Sequence, residues 1–181
     1  MSHRSVVFCL LVTLSWSIAT AQRAQSGEQM CRSVRSLLQA SSSDFNPVKR
    51  NITRHSDGAT DWEPSISIAG AKDCEGQSDP EFASTMSCTM LESQSADDVA
   101  RAYRDLVSAI RSCLDTNFVY SEKQGGKPSR RSTPMKEATF EVKGRGDSPD
   151  GPAVRVSMSQ FHRTSRSGYE LTIWVDAKDK E

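Results

Sequence analysis

His55 and His162 are the candidate general bases with an imidazole in residues 22–181. A serine hydrolase needs such a base held beside its nucleophile. Several serines lie near His162 in the chain: Ser157, Ser159, Ser165 and Ser167. None of them stands in a Gly-x-Ser-x-Gly sequence, the turn that exposes the nucleophile of many hydrolases. A small secreted hydrolase with His162 as general base is therefore an alternative hypothesis, and a non-catalytic protein is preferred.

Carboxylate pairs and cofactor motifs do not strengthen the case for catalysis. Asp97 and Asp98 follow Ser95 at the start of a predicted helix, where acidic side chains interact favourably with the helix dipole. Glu170 and Asp176 share one predicted strand, which places them on the order of 20 Å apart, too far for joint action. No P-loop, Gly-x-Gly-x-x-Gly or EF-hand motif occurs. We therefore expect no metal and no cofactor.

Disulfide chemistry is indicated by the four cysteines beyond residue 21, which are Cys31, Cys74, Cys88 and Cys113. In an exported chain, four cysteines indicate two disulfides. Zinc binding is the competing interpretation, but there is no Cys-x-x-Cys and neither histidine is near a cysteine in sequence. Cys74 and Cys88 lie on consecutive predicted strands, whereas Cys31 and Cys113 lie on the apolar faces of predicted helices. We predict the bonds Cys74–Cys88 and Cys31–Cys113.

Residues 1–21 have the order of a secretory signal peptide. Arg4 precedes an apolar run over residues 6–14, and Ala19-Thr20-Ala21 precedes Gln22, which predicts cleavage after Ala21. The apolar run is shorter than the ~20 residues that span a bilayer, so an uncleaved anchor is the less favoured alternative. We expect a secreted or periplasmic protein of residues 22–181 without a transmembrane segment.

The charge composition argues against nucleic acid as a partner. The chain has 181 residues, with 23 Lys and Arg against 23 Asp and Glu, and 36% of its residues are hydrophobic. These values are typical of a soluble globular protein. Because no basic excess is present to neutralise a phosphate backbone, another protein or an extended ligand outside the cytoplasm is the expected partner.

Apolar periodicity predicts two helices. The first covers residues 28–38, and the second begins after the predicted N-cap Ser95 and continues to Leu114. The polar segment between residues 41 and 61 contains at most a short strand near residues 51–54. Its Asn51-Ile52-Thr53 sequence is an N-glycosylation sequon, which has meaning only if the host is eukaryotic.

Period-two alternation predicts five strands. Two form a hairpin over residues 65–92, with Ile66, Ile68, Phe82 and both hairpin cysteines among its inward residues, and three more follow residue 137. Residues 122–137 are predicted to be a loop with five basic residues: Lys123, Lys127, Arg130, Arg131 and Lys136. The predicted fold is a single two-layer α+β sandwich with the order α-β-β-α-β-β-β. Two helices cover one face of an antiparallel sheet of about five strands.

The other face of this sheet is predicted to be open. The register that keeps apolar residues on one face places Arg155 opposite Asp176, Glu141 opposite Arg155, and Ser157 opposite Trp174. It also places Phe161 opposite Glu170 and His162 opposite Tyr169. Tryptophan and arginine are enriched at interaction hot spots. The candidate binding residues are therefore Trp174 and Arg155, with Phe161 and Lys143 as contributors.

The preferred hypothesis is a secreted or periplasmic non-catalytic binding module that uses the open sheet face. Alternatively, the ring of Trp174 is covered within the chain, for example by the segment around Trp62 and Pro64. A structural, envelope-associated subunit would present the same surface and would self-associate.

Overall fold

The computed structural model describes residues 27–55, 58–126, 132–143, 151–163 and 166–177. The expected signal peptide of residues 1–21 lies outside the described residues. Within those residues, no helix is both long enough and apolar enough to cross a membrane. Two disulfides, described below, are compatible with a secreted protein.

The described residues form two helices, and each helix is followed by its own set of four strands. Helix α1 covers residues 27–41 and helix α2 covers Ala96–Cys113. Between them lie β1 (Lys49–Arg54), β2 (Thr60–Pro64), β3 (Asp73–Ser78) and β4 (Thr85–Ser93). After α2 come β5 (Phe118–Gln124), β6 (Ser132–Val142), β7 (Ala153–Arg163) and β8 (Arg166–Asp176).

The eight strands described here form one antiparallel sheet in the order β1-β2-β3-β4-β8-β7-β6-β5. Two four-stranded meanders therefore meet at the centre, where β4 pairs with β8. The expected sheet of about five strands, in the element order α-β-β-α-β-β-β, is wrong. The sequence pattern does not reveal β1 as a full strand, and it does not reveal β2 or β5.

These three strands lie at or near the edges of the sheet, where few side chains are buried. Strands β1 and β5 contain no fully buried residue, and β2 buries only Trp62. Apolar alternation arises where one face of a strand is buried along its length. A strand with one buried position or none leaves no such pattern.

Both helices pack on the same face of the sheet. One cluster of buried residues joins α1, α2 and the inward side chains of the central strands. Its members include Val34 and Leu37 of α1, Val99 and Ile110 of α2, and Met86, Val156 and Ile173 of the sheet. Burial of these apolar surfaces stabilises the layered arrangement. The sheet face opposite the helices is called the open face below.

Helix α1 is tied directly to the end of α2. The Cys31–Cys113 disulfide joins them, and the Arg35 guanidinium donates to the Cys113 carbonyl oxygen from Nε at 3.1 Å and from Nη2 at 2.6 Å. Carbonyls in the last turn of a helix have no partner within that helix. Arg35 supplies one and places positive charge at the negative end of the α2 dipole.

The second disulfide crosses the β3–β4 hairpin, where Cys74 and Cys88 are directly opposite. The two bonds join the pairs that the sequence favours. The hairpin itself is shorter than expected, because β3 begins at Asp73 and residues 66 and 68 precede it. Phe82, expected to face the core, lies in the connection between the strands and is 67% exposed.

Much of the expected loop over residues 122–137 is a hairpin. Strand β5 continues to Gln124 and β6 begins at Ser132. Lys123 is paired with Glu137 on the neighbouring strand, with 2.7 Å between Nζ and Oε1. The basic residues Lys127, Arg130 and Arg131 lie outside the described residues.

Candidate functional site

The open face carries Arg155 and Trp174 side by side. Arg155 on β7 lies opposite Trp174 on β8, and Thr139 on β6 lies opposite Arg155. The predicted registers, with Arg155 opposite Asp176 and Glu141 opposite Arg155, are therefore wrong by two residues. Because side chains alternate with a period of two, this shift leaves the predicted outward residues on the open face.

The same shift changes the other predicted pairs of the β7–β8 hairpin. Ser157 is opposite Thr172 instead of Trp174, and Phe161 is opposite Gly168 instead of Glu170. His162 is opposite Ser167 instead of Tyr169. Arg163 is opposite Arg166, so the connection between the strands is shorter than the segment 164–168 expected from the sequence.

Arg155 reaches diagonally across the strands to Asp176. Its Nε and Nη2 donate to the two carboxylate oxygens at 2.6 and 2.9 Å, and Thr85 Oγ1 donates to Asp176 Oδ1 at 3.0 Å. Burial alone would lower the pKa of Arg155, but the hydrogen bond and charge of Asp176 outweigh burial and raise that pKa. The Arg155 charge is thus fixed in position and largely compensated.

Trp174 is half-buried on the open face. Its ring centroid is 5.4 Å from Cζ of Arg155, a distance at which cation–π attraction operates. Its indole N–H has no hydrogen-bond partner among the described residues. Trp62, by contrast, is 2% exposed and donates to Ser78 Oγ at 3.1 Å. Trp174 therefore has an N–H donor available for a ligand, whereas the N–H of Trp62 is already hydrogen-bonded.

Trp62 does not form the alternative lid over Trp174. It lies opposite Gly76 and packs against Phe45, with 5.4 Å between ring centroids. Phe45 belongs to the cluster that contains the helices, so Trp62 faces the covered side of the sheet. Pro64 has the same parity on β2 as Trp62.

Ser87 is a buried polar residue on the open face. It lies on β4 between Trp174 of β8 and Glu75 of β3. The residue is only 9% exposed, yet its hydroxyl has no hydrogen-bond partner in the described part of the chain. No described side-chain N or O atom that is itself buried lacks a hydrogen-bond partner, so the Ser87 hydroxyl oxygen reaches the surface of the hollow. It is accessible there to water or to a ligand.

These residues surround a hollow of about 430 Å³, called the central hollow below. It is lined by Asp61, Glu75, Gly76, Gln77, Thr85, Ser87, Arg155 and Trp174. A concave site with an aromatic side chain and a few polar groups is the usual form of a ligand site. A second depression of about 290 Å³ shares Thr85 with it and also contains Phe82, Glu141 and Asp176.

Carboxylates give the central hollow its charge. Glu75 and Asp61 are exposed, and no described Lys or Arg forms an ion pair with either. Asp61 Oδ2 is 2.7 Å from Nε2 of the exposed His55. Since Asp176 compensates Arg155, the hollow has an acidic side formed by β2 and β3.

Phe161 and Lys143 lie apart from the Trp174–Arg155 pair. Phe161 is 2% exposed, and Cζ atoms of Arg163 and Arg166 lie 4.8 and 5.5 Å from its ring centroid. It supports these guanidinium groups and has little surface for a ligand. Lys143 follows β6 and donates to the Thr116 carbonyl at 2.6 Å. Neither residue lines the central hollow.

The described residues do not assemble a hydrolytic site around His162. No described side chain forms a hydrogen bond with its imidazole, although Ser167 lies opposite it. No group of three His, Cys, Asp or Glu residues in the described ranges has the geometry to hold a metal ion. The sequon residue Asn51 is exposed on β1, and its Nδ2 donates to Glu63 Oε2 at 2.6 Å.

The sequence pattern places Trp174 and Arg155 on this face, where both line the hollow, but it does not reveal the residues on the opposite side of the hollow. Ser87 stands between two inward residues, so period-two alternation predicts its outward position. Asp61, Glu75 and Gln77 require recognition of β2 and of the true limits of β3. Those strands are short and mostly polar, which hides the acidic side.

Comparison of the chain with protein-family models, with curated proteins and with solved structures finds no match. The geometry and chemistry of the site itself are therefore the basis for a function.

Proposed function

We propose that this protein is an exported, non-catalytic binding module whose ligand occupies the central hollow of the open face. The observation that carries the proposal is the pair of opposite residues Trp174 and Ser87, each with a polar group that lacks a hydrogen-bond partner in the described chain. A ligand that contacts both would satisfy these groups and bury the remaining indole surface.

Rigid surroundings support a binding role. The pair Arg155–Asp176 and the central strands β4, β8 and β7 hold the floor of the hollow in place. Binding groups that are already ordered in the free protein lose less conformational entropy when a ligand binds. The two disulfides and the signal-like residues 1–21 support a location outside the cytoplasm.

Affinity capture tests the proposal. Residues 22–181 would be immobilised and exposed to the native extracytoplasmic fraction of the host, beside the variants Trp174→Ala and Val119→Ala. Val119 is a matched control, since it is 48% exposed and lies on the open face at the β5 edge, outside the hollow. We expect a ligand that is retained by the unchanged protein and by Val119→Ala and lost by Trp174→Ala.

Fluorescence then locates the contact. In a Trp62→Phe protein, Trp174 is the sole tryptophan of residues 22–181, and a ligand in the hollow should change its emission. A ligand that is held equally by all three captured proteins, or that leaves Trp174 emission unchanged, contradicts the proposal. Light scattering of the free protein distinguishes self-association from binding of a different molecule. No observation favours the hydrolase alternative.

A further inference from the structure

Charges are unevenly distributed over the open face. Strands β2 and β3 place four carboxylates there: Asp61, Glu63, Asp73 and Glu75. No described Lys or Arg forms an ion pair with any of them. On the other strands, four carboxylates have basic partners in the pairs Lys123–Glu137, Arg155–Asp176, Arg163–Glu92 and Arg163–Glu170, whereas Glu141 forms no ion pair with a described residue. The β2–β3 half of the face is thus rich in carboxylates, with His55 hydrogen-bonded to Asp61 and Arg50 directly opposite Glu63 as its nearby basic side chains.

The central hollow lies where this acidic half meets Trp174. Asp61 and Glu75 form one side, and Trp174 forms the other. A cation in the hollow would interact with both carboxylates and with the aromatic ring. The Ser87 hydroxyl, which has no partner in the described residues and is accessible from the hollow, could accept a hydrogen bond from an N–H donor on that cation. An anion would meet repulsion instead, because Asp176 already compensates Arg155.

The surface continues beyond the hollow. Thr85 lines both the central hollow and the second depression, where Phe82 is 67% exposed. From Asp61 on β2 to Glu141 on β6 the face crosses five strand spacings, which is about 24 Å. A compact cation would fill only the hollow. An extended chain with basic and apolar side chains would use the hollow, Phe82 and Glu141 together.

We infer that the ligand is an extended basic segment of another protein, with a Lys or Arg side chain between Asp61, Glu75 and Trp174, a backbone carbonyl that accepts from the Trp174 indole N–H, and an apolar side chain against Phe82. This inference rests on the proposed function and specifies the partner of the same site. Charge complementarity between this segment and the acidic half of the face sets its chemistry.

Peptide binding measured by fluorescence anisotropy tests the inference. The probe is a labelled peptide of about eight residues, long enough to cross the face in extended form, with alternating Arg and Leu. Matched probes replace Arg by citrulline, which keeps the shape without the charge, or by Glu. Spermidine and a neutral oligosaccharide serve as unlabelled competitors of other classes.

The acidic side is removed with the double variant Asp61→Asn and Glu75→Gln. Its control is the double variant Glu28→Gln and Asp105→Asn, which removes two exposed carboxylates from the helices. The Asp61→Asn/Glu75→Gln variant loses two surface ion pairs to the Arg probe and should bind this probe about tenfold more weakly. The control double variant should bind the Arg probe as tightly as the unchanged protein. Binding should also fall as salt concentration rises.

The outcomes separate this inference from the proposed function. An Arg probe that binds more tightly than the citrulline and Glu probes, and that depends on Asp61 with Glu75 and on Trp174, supports both. If the Glu probe or the oligosaccharide binds in a Trp174-dependent manner and the Arg probe does not, the basic partner is excluded and the proposed site remains. Equal binding of the Arg probe to both double variants also overturns the inference. If no probe binding depends on Trp174, the inference is rejected, and the capture experiment judges the proposed function.

Discussion

The indole ring of Trp62 occupies the space that a Cβ atom of residue 76 would need. Such an atom would lie 2.2 Å from Cε2 of Trp62, and Trp62 is directly opposite Gly76 in the β2–β3 register. Only a residue without a side chain fits beneath this ring. The contact anchors β2 to the sheet and so places Asp61 on the acidic side of the central hollow.

The first prediction is that Gly76→Ala is destabilising. The new methyl group forces Trp62 to move from its contact with Phe45, and we expect a loss of about 1–3 kcal/mol in the free energy of unfolding. Urea denaturation measures it. Gly27→Ala is the control, because no atom lies within 4 Å of a Cβ there. Equal stabilities of the two variants would show that the Trp62 ring is free to move aside.

The second prediction concerns the unequal tryptophans. Trp62→Ala removes a side chain that is 2% exposed and should cost about 3–5 kcal/mol of stability. Trp174→Ala removes a half-buried ring on the open face and should cost about 1 kcal/mol. Thermal or urea unfolding of both variants provides the comparison. A large loss for Trp174→Ala would indicate a structural role for that ring and would weaken the case for binding.

The third prediction compares the disulfides. The Cys31–Cys113 bond spans 82 residues and Cys74–Cys88 spans 14. In the chain-entropy model the longer loop stabilises by about 4.5 kcal/mol and the shorter by about 3 kcal/mol. Replacement of each pair by alanine, followed by denaturation, should therefore be more damaging for residues 31 and 113. The reverse order would mean that native packing around the β3–β4 bond outweighs loop length.

The fourth prediction is a loss of stability at alkaline pH that depends on Tyr103. Burial, followed by the hydrogen bond and charge of Glu122, raises the pKa of Tyr103 well above its ordinary value of 10.0; its hydroxyl donates to Glu122 Oε1 at 3.0 Å. The unfolded chain therefore loses this proton first. The stabilising contribution is complete below pH 10 and decreases as pH rises above it, by up to ~1.4 kcal/mol per pH unit.

Unfolding between pH 9 and pH 12 measures this dependence. Tyr103→Phe should show a smaller decrease with pH than the unchanged protein. Glu122→Gln, which removes the acceptor's charge, should lie between them. Tyr120 donates to the other Glu122 oxygen and its pKa is also raised, first by burial, so some dependence remains in each variant. Identical slopes for the unchanged protein and Tyr103→Phe would exclude this role of Tyr103.

The sequence predicts the centre of the molecule better than its edges. Strand β7 buries Val154, Val156 and Met158 and strand β8 buries Leu171, Ile173 and Val175, each at every second position, and the apolar residues of α2 recur at helical spacing. These elements have a continuous buried face, and that burial is what periodicity detects. Strand β1 is exposed at almost every position, so no apolar pattern distinguishes it from a loop.

Register shows a similar limit. Apolar alternation requires only that inward residues oppose inward residues, and every shift by two satisfies this condition. The predicted Arg155–Asp176 attraction is present, but it acts diagonally, because the long guanidinium side chain reaches past its direct neighbour Trp174. A charge pair that involves a long side chain therefore does not show that its two residues are directly opposite in the sheet. The observed pair Arg163–Arg166 fixes the register of the hairpin, and the apolar pattern does not distinguish this pair from one shifted by two residues.

The fifth prediction is strong coupling between Arg155 and Asp176. Their side chains are 33% and 18% exposed, so each would be left partly desolvated without the other. Arg155→Met or Asp176→Asn alone should cost about 1–3 kcal/mol, and the double variant should cost less than the sum, with a coupling energy of about 1–2 kcal/mol. A cycle of four urea denaturation curves measures it.

Additive losses would show that Thr85 and solvent satisfy Asp176 without Arg155, and the guanidinium would then be a free cation in the central hollow. In that case the acidic character argued for the hollow would be reduced, and the Arg probe should bind more tightly to Arg155→Met than to the unchanged protein.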